Sequence, residues 1–272
     1  MKDIKEITEQ LEQGVKGVYN SEKYMNYLRF VAKFHNYSIN NSLLIWLQKP
    51  TASYVAGYQT WAKKLNRQVR KGEKGITILA PCPHKFVKEV VMEDGTVDEQ
   101  EINYTTFRPV SVFDISQTDG EEVPSICEQL TGQVENFNEL FEGLKKVSPA
   151  PIEFEDIQTG ANGYFNPGTG VIRIKDGMSE MQTIKTTVHE IAHAILHGKD
   201  GDEEGAKRST KEVQAESVAF TVCTMLGLDT SGYSFEYIAD WSQGRDAKEL
   251  TASMEAIRKT ANTIYEGLTA AA

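Results

Sequence analysis

The chain has 272 residues, 40% hydrophobic and 9% aromatic, enough to bury two cores and too apolar for a disordered tract. Its formal net charge of −10 hides an asymmetry: residues 1 to 85 hold 14 Lys+Arg against 6 Asp+Glu, and the acidic excess lies beyond them. That split argues against a uniformly acidic protein and for two functional units, the first suited to a polyanion.

Taken in order, apolar spacing predicts amphipathic helices over 5 to 19 and 21 to 34, the second capped by Ser21. Shorter helices are expected from Asn41 to Gln48, stopping at Pro50, and from Tyr58 to Leu65. Strand composition follows at Gly75 to Pro81, His84 to Met92 and Tyr104 to Ile115, with Glu93-Asp94-Gly95-Thr96 as a hairpin turn. Residues 116 to 124 read as loop and 134 to 146 as helix, before a break at Ser148-Pro149-Ala150-Pro151. Gly163 to Ile174 reads as a hairpin whose second strand is expected to be an edge that binds an extended peptide. A capping box at Ser179 to Gln182 opens a helix that Gly198 ends. Further helices are expected from Thr210 to Gly227 and from Asp246 to Gly267. The sum is an α+β protein of two domains, 1–125 and 126–272.

Cys82, Cys127 and Cys223 are odd in number and form no Cys-x-x-Cys pair, which fits a reducing cytoplasm and neither a disulfide framework nor a zinc ribbon. The charged start lacks the apolar core of a secretory signal, and no run of apolar residues is long enough to span a membrane. A cytoplasmic protein with no membrane partner is expected.

Chemistry concentrates at His189-Glu190-Ile191-Ala192-His193. Two histidines four apart share one helix face, so both imidazoles reach a single metal ion. This is the zinc-hydrolase spacing. Ile184, Val188, Ile191, Ala192 and Ile195 give the same helix an apolar face that anchors it. The third ligand is expected from the next helix, which offers Glu212 and Glu216 one turn apart. We take Glu212 as ligand and Glu216 as acceptor of a ligand histidine's free N–H; the reverse assignment stays open. Glu190 is placed as general base, with Zn2+ making hydroxide available at neutral pH. Tyr233 and Tyr237 are the candidates for oxyanion stabilisation. His197, on the same stripe, reads as a partly buried histidine bonded to backbone or to a carboxylate. The plainer alternatives are a metal-free polar patch and a zinc site without turnover.

A second cluster runs from Trp61 to Gly75, where Lys63, Lys64, Arg67, Arg70, Lys71 and Lys74 face one acid, Glu73. Tyr37, Asn40, Asn41, Trp46, Tyr54 and Tyr58 lie upstream. Cations along a phosphate backbone and aromatic faces for bases are the recipe for single-stranded nucleic acid. The competing reading makes each tryptophan core and the lysines a solvated face.

Both clusters resemble one known combination. Tyr37-Ser38 with Asn40 or Asn41, Leu43-Leu44-Ile45, Gln48 before Pro50, Val55-Ala56-Gly57, Trp61, and Val69-Arg70-Lys71-Gly72-Glu73-Lys74-Gly75 leading into Ile76 to Pro81 resemble the N-terminal domain of ArdC-type antirestriction proteins of conjugative plasmids. That resemblance implies single-stranded DNA binding. Residues 163 to 220 resemble the zincin-type metallopeptidase domain of the same proteins and of the ImmA/IrrE group, which implies His189, His193 and Glu212 around a metal with Glu190 catalytic. Asn66 departs from the glycine that family members often have before the arginine, and the run after His193 is closer to ImmA/IrrE. The resemblance does not extend over residues 82 to 160. The expected function is a DNA-localised zinc metallopeptidase acting in antirestriction or strand protection, on an unidentified protein substrate. Its rivals are a non-catalytic strand binder with a vestigial zinc site, and a repressor-cleaving peptidase that ignores DNA.

Overall fold

The structure, a computed structural model, describes residues 4–91, 97–122, 136–199, 201, 205–230, 232, 233, 235 and 238–270. The chain divides into two compact units: Met1–Leu11 with Leu44–Val123, and Glu12–Leu43 with Pro124–Ala272. Residues 12–43, expected in the first domain, instead pack with the second unit. An apolar helix face announces that it will be buried, not by which neighbour.

Three helices open the chain: α1 (Ile4–Val18), α2 (Ser21–Lys33) and α3 (Ile39–Gln48). The N-cap of α2 is Asn20 rather than Ser21, and no side-chain bond is made there. Tyr24, Tyr27 and Leu28 of α2 are buried, and the Tyr24 hydroxyl lies 2.9 Å from Ser217 Oγ inside the second unit.

In the first unit, β1 (Val55–Gly57), β3 (Ile76–Val91) and β4 (Val97–Asp114) form an antiparallel sheet in the order β1-β4-β3. The two strands expected on either side of Pro81 and Pro83 are one strand, β3. Its outer position explains why prolines are tolerated. Thr77 N–H, in phase with both, donates outward to Gln48 Oε1 at 3.0 Å, so Pro81 and Pro83 forfeit no bond to β4. Helix α4 (Tyr58–Lys64) carries Trp61, fully buried, whose Nε1–H donates to Phe113 O at 2.9 Å.

The expected loop 116–124 instead contributes a 3₁₀ turn, Ile115–Gln117, and β5 (Thr118–Gly120), which pairs with β2 (Arg67–Val69). Asp114 organises this corner. Its carboxylate accepts the N–H groups of Ser53, Tyr54 and Ser116. Burial pushes its carboxyl up, yet these bonds prevail and hold it below the usual range. Between α4 and β2, Asn66 has φ 49, the left-handed region that asparagine tolerates and glycine prefers.

The second unit adds α5 (Phe137–Val147), a sheet of β6 (Ile152–Glu155), β7 (Gly163–Asn166) and β8 (Val171–Lys175), and the helices α6 (Glu180–His197), α7 (Arg208–Met225), α8 (Ile238–Ser242) and α9 (Ala247–Ala270). Strand order is β6-β8-β7. The expected edge, β8, is therefore central, paired parallel with β6 and antiparallel with β7; the first strand of the hairpin is the edge. Ile172 and Ile174 have no exposure, because β8 is covered by α6. Ile184, Val188 and Ile191 of α6 are likewise fully buried, as their helical spacing predicts.

Ser179 caps α6 by accepting Gln182 N–H at 3.3 Å, while the Gln182 side chain turns to Thr186. The helix stops at Gly198, not in a left-handed cap (φ −67) but where any Cβ would sit 2.5 Å from Ala194 O. Gly227, φ 69, provides the left-handed ending just past α7.

Candidate metal centre

Helix α6 presents His189 and His193 toward α7, with their Nε2 atoms 3.1 Å apart. Glu212 Oε2 stands 3.6 Å from the first and 3.8 Å from the second. The circle through these three atoms has a radius of about 2.0 Å, which matches a metal–nitrogen bond of ~2.0–2.1 Å. Two imidazoles and one carboxylate are also the right donor set for a divalent ion. The residues present therefore fit the metal that the spacing implies. Glu212 side-chain exposure of 48% leaves one side of the centre open to the cleft.

Glu216 takes the other role. Its Oε2 accepts His189 Nδ1–H at 3.1 Å, and its Oε1 meets Lys185 Nζ at 3.3 Å. Burial raises the Glu216 carboxyl, but His189 and Lys185 outweigh it and hold it below the usual range. His189 and His193 hold the Glu212 carboxyl far below that range. For His189 burial favours the neutral ring, yet the two glutamates prevail and push it up to about 9. Between the two open assignments, the geometry brings Glu212, not Glu216, to the shared face of the imidazoles.

Glu190 is buried and absent from that triangle. Burial raises its carboxyl against the pull of both histidines and of the nearby Phe165 N–H on β7. It lines a cleft of about 630 Å³ together with Gly163, Tyr164, His189, His193 and Glu212. Lys175 N–H donates to Asn162 O at 2.9 Å, so by the alternation of an antiparallel pair the backbone groups of Gly163 and Phe165 point away from β8. Gly163 is needed here: a Cβ would come within 2.7 Å of Thr186 on α6. Edge strand, metal triangle and buried glutamate thus share one cleft.

Tyr233 does not join them. Its ring is buried under Lys185 Nζ at 3.6 Å, and its hydroxyl donates to Cys223 Sγ at 3.5 Å. Burial, then Cys223, drives the phenol far above its ordinary value. The order of residues along the chain carried no information on ring direction. Tyr237 lies outside the described residues. His197 departs from expectation as well: it is bonded to neither backbone nor carboxylate. Its Nδ1 lies 2.9 Å from His193 Nδ1 and its Nε2 lies 3.0 Å from Gln214 Oε1. Burial pushes His197 down to about 4. Sequence reasoning missed Lys185, one turn before His189, and Gln214, which lies two residues from both Glu212 and Glu216 and so off their shared face.

The basic segment divides in two. Trp61 is core, so it offers no face to a base. Arg67 donates to Thr118 Oγ1 at 2.8 Å, Thr118 O at 3.0 Å, Gly120 O at 3.1 Å and Glu121 O. Arg70 pairs with Glu73 at 2.8 Å and Asp119 at 3.4 Å. Both guanidiniums clamp the β2–β5 corner instead of standing ready for phosphate. Lys63, Lys64, Lys71 and Lys74 remain exposed, as does Tyr58 at 54%. Tyr37, Asn40 and Asn41 belong to the second unit: Tyr37 and Asn41 are half-buried, and Asn40 is exposed.

Residues 2–113 match the family model for the N-terminal domain of anti-restriction factor ArdC, and residues 150–262 match the IrrE N-terminal-like domain of the M78 peptidase group. The first match continues through β3 and β4, beyond the stretch where motifs alone suggested it. An uncharacterized Bacillus anthracis protein, pXO2-81, is 29% identical over 96% of this chain; the chain spans about half the length of that relative. The fold is that of the antirestriction ArdC protein from plasmid R388. A metal-free crystal structure is 24% identical with a TM-score of 0.54 over 86% of each chain. An Mn(II)-bound one is 21% identical with a TM-score of 0.53 over 85% of each. An ArdC N-terminal domain ahead of an IrrE N-terminal-like domain, on the fold of the R388 protein, gives the chain the two-domain architecture of an ArdC-type antirestriction protein.

Proposed function

We propose that this protein is a zinc-dependent metallopeptidase of the ArdC type that binds single-stranded DNA and acts in antirestriction or strand protection during conjugative transfer. The observation that carries it is the triangle of His189, His193 and Glu212 beside buried Glu190, in a cleft bordered by an edge strand. Mn(II) occupies the R388 relative, and the nitrogen-rich donor set here favours Zn(II). The bound ion supplies Lewis acidity, acidifying water and polarising a carbonyl.

The chain's own residues do the rest. Glu190, with its carboxyl raised, takes the proton of the attacking water and returns it to the leaving amine. The nearby Phe165 N–H counters part of that rise. The outward backbone of Gly163 and the Phe165 carbonyl can pair with an extended peptide, aligning a scissile bond along α6. Lys63, Lys64, Lys71 and Lys74 supply the phosphate contacts, and exposed Tyr58 a face for a base. No helix among the described residues is long and apolar enough to cross a membrane, and Cys82 and Cys223 are unpaired, in keeping with a cytoplasmic site of action.

Glu190→Gln tests the reading, because it preserves shape and removes the base. Antirestriction activity in a conjugation assay falls ~10²–10⁴-fold while zinc and oligonucleotide binding persist. Full activity in that variant leaves strand occupancy as the mechanism. Absence of salt-dependent oligonucleotide binding in the wild type leaves a peptidase that does not use DNA.

A further inference from the structure

Each ligand histidine must offer a lone pair on Nε2, so each must carry its proton on Nδ1. For His189 the partner settles this: Glu216, an ionised carboxylate, can only accept. His193 has no carboxylate on Nδ1. It faces another imidazole, His197 Nδ1, at 2.9 Å. Two nitrogens at that distance share one proton, and its owner decides whether His193 can bind a metal.

We propose that His197 is a positioning residue of the metal centre, part of a directed hydrogen-bond chain that holds His193 as its Nδ1–H tautomer. The proposal rests on the metal-site reading above and adds the group that prepares the second imidazole. From α9, Ser253 Oγ accepts Gln214 Nε2–H at 3.3 Å. That orientation turns Gln214 Oε1 toward α6, where it accepts His197 Nε2–H at 3.0 Å. With its proton on Nε2, His197 has a bare Nδ1, which accepts His193 Nδ1–H. His193 Nε2 is then left unprotonated, facing His189 Nε2 and Glu212.

The opposite direction, with the Gln214 amide turned over, puts a proton on His193 Nε2 and closes the site. Gln214, His197 and Ser253 are all buried, at 0%, 5% and 6% exposure, so solvent does not scramble the chain. A neutral chain also suits the charge balance. Glu190, Glu212 and Glu216 already surround the place of one divalent ion, and a carboxylate on His193 would add a fourth charge.

The test compares His197→Leu with His197→Asn. Leucine fills the space and accepts nothing; asparagine returns an acceptor oxygen at the position of Nδ1. Zn(II) is titrated into metal-free wild type and both variants, after circular dichroism and a thermal melt have established folding. The leucine variant is expected to bind Zn(II) ~10–100-fold more weakly, with asparagine recovering most of the loss. In ¹⁵N-histidine spectra of the Zn(II)-loaded wild type, His197 is the Nε2–H tautomer, with a coupling across the hydrogen bond to His193 Nδ1. An Nδ1–H tautomer at His197 overturns the proposal, and so does wild-type affinity in the leucine variant or equal weakness in both variants. If leucine prevents folding, the wild-type spectrum decides alone. If the wild type binds no Zn(II), the metal-site reading itself falls.

Discussion

Around the α6–α7 cleft, His189, His193 and Glu212 aim their ligand atoms at one point, whereas at the β2–β5 corner Arg67 and Arg70 spend theirs on carbonyls and carboxylates of their own unit. Both regions are dense in ionisable groups. In the first, helix geometry fixes direction, so four residues of spacing become one shared face. In the second, short strands and turns leave backbone carbonyls in need of donors, and an arginine with five N–H groups meets that need as readily as it meets phosphate. A charge cluster therefore states composition, and only an element of known period turns it into a site.

The sharpest way to break this contrast is on α7. Glu212→Ala is expected to weaken Zn(II) binding more than a hundredfold, beyond the ~10–100-fold loss for Glu216→Ala. Calorimetric titration of the two variants, both folded, checks it. The reverse ranking would make Glu216 the ligand and the triangle an accident.

Asp114 offers the next largest effect, in stability rather than binding. It is buried and accepts three backbone N–H groups, so Asp114→Ala should cost about 2–4 kcal/mol. Its carboxyl is lowered on folding. That contribution is complete above the unfolded carboxylate value of about 3.9 and disappears as pH falls through the lower folded value. Denaturant melts of wild type and variant should therefore converge only below about pH 4. A constant gap down to strongly acid pH would remove the carboxylate from this corner.

The same contrast explains what was legible beforehand. The α6 helix, its cap at Ser179, its end at Gly198 and its apolar face follow from local rules, and so does the partnership of its histidines with α7. The edge position of β7 was not legible, because hairpin composition does not say which strand meets a third one. Nor was the burial of Tyr233, or the packing of residues 12–43 with the second unit. Both depend on neighbours distant in sequence. In β3, Pro81 and Pro83 make one continuous strand read as two. Only the outward phase of their nitrogens reconciles them with pairing along its whole length.

A subtler separation distinguishes clamp from phosphate ligand within the basic segment. Arg67→Ala should destabilise the first unit by about 1.5–3 kcal/mol, since it strips donors from several carbonyls. Its effect on the salt dependence of oligonucleotide binding should be small. Replacing Lys63, Lys64, Lys71 and Lys74 by Gln should do the opposite. Stability stays within about 0.5 kcal/mol, and the slope of log K against log salt falls by ~0.7 for each phosphate that is no longer neutralised. An unchanged slope in that variant would move the DNA surface away from these lysines.

The smallest expected effect lies at Asn66, between the two behaviours. Its φ of 49 is a conformation that costs most L-residues about 1–2 kcal/mol. Glycine removes that cost but loosens the unfolded chain, and it forfeits the exposed bond from Asn66 Nδ2 to Glu121 at 3.2 Å. These terms oppose one another, so Asn66→Gly should leave the melting temperature nearly unchanged. Asn66→Val has no such compensation and should lower stability by about 1–2 kcal/mol. Because Asn66 precedes Arg67 and sets where it enters β2, the valine variant should also loosen the arginine clamp. A double-mutant cycle with Arg67→Ala then gives less than the sum of the two losses, and strict additivity would mean that the turn and the clamp are independent.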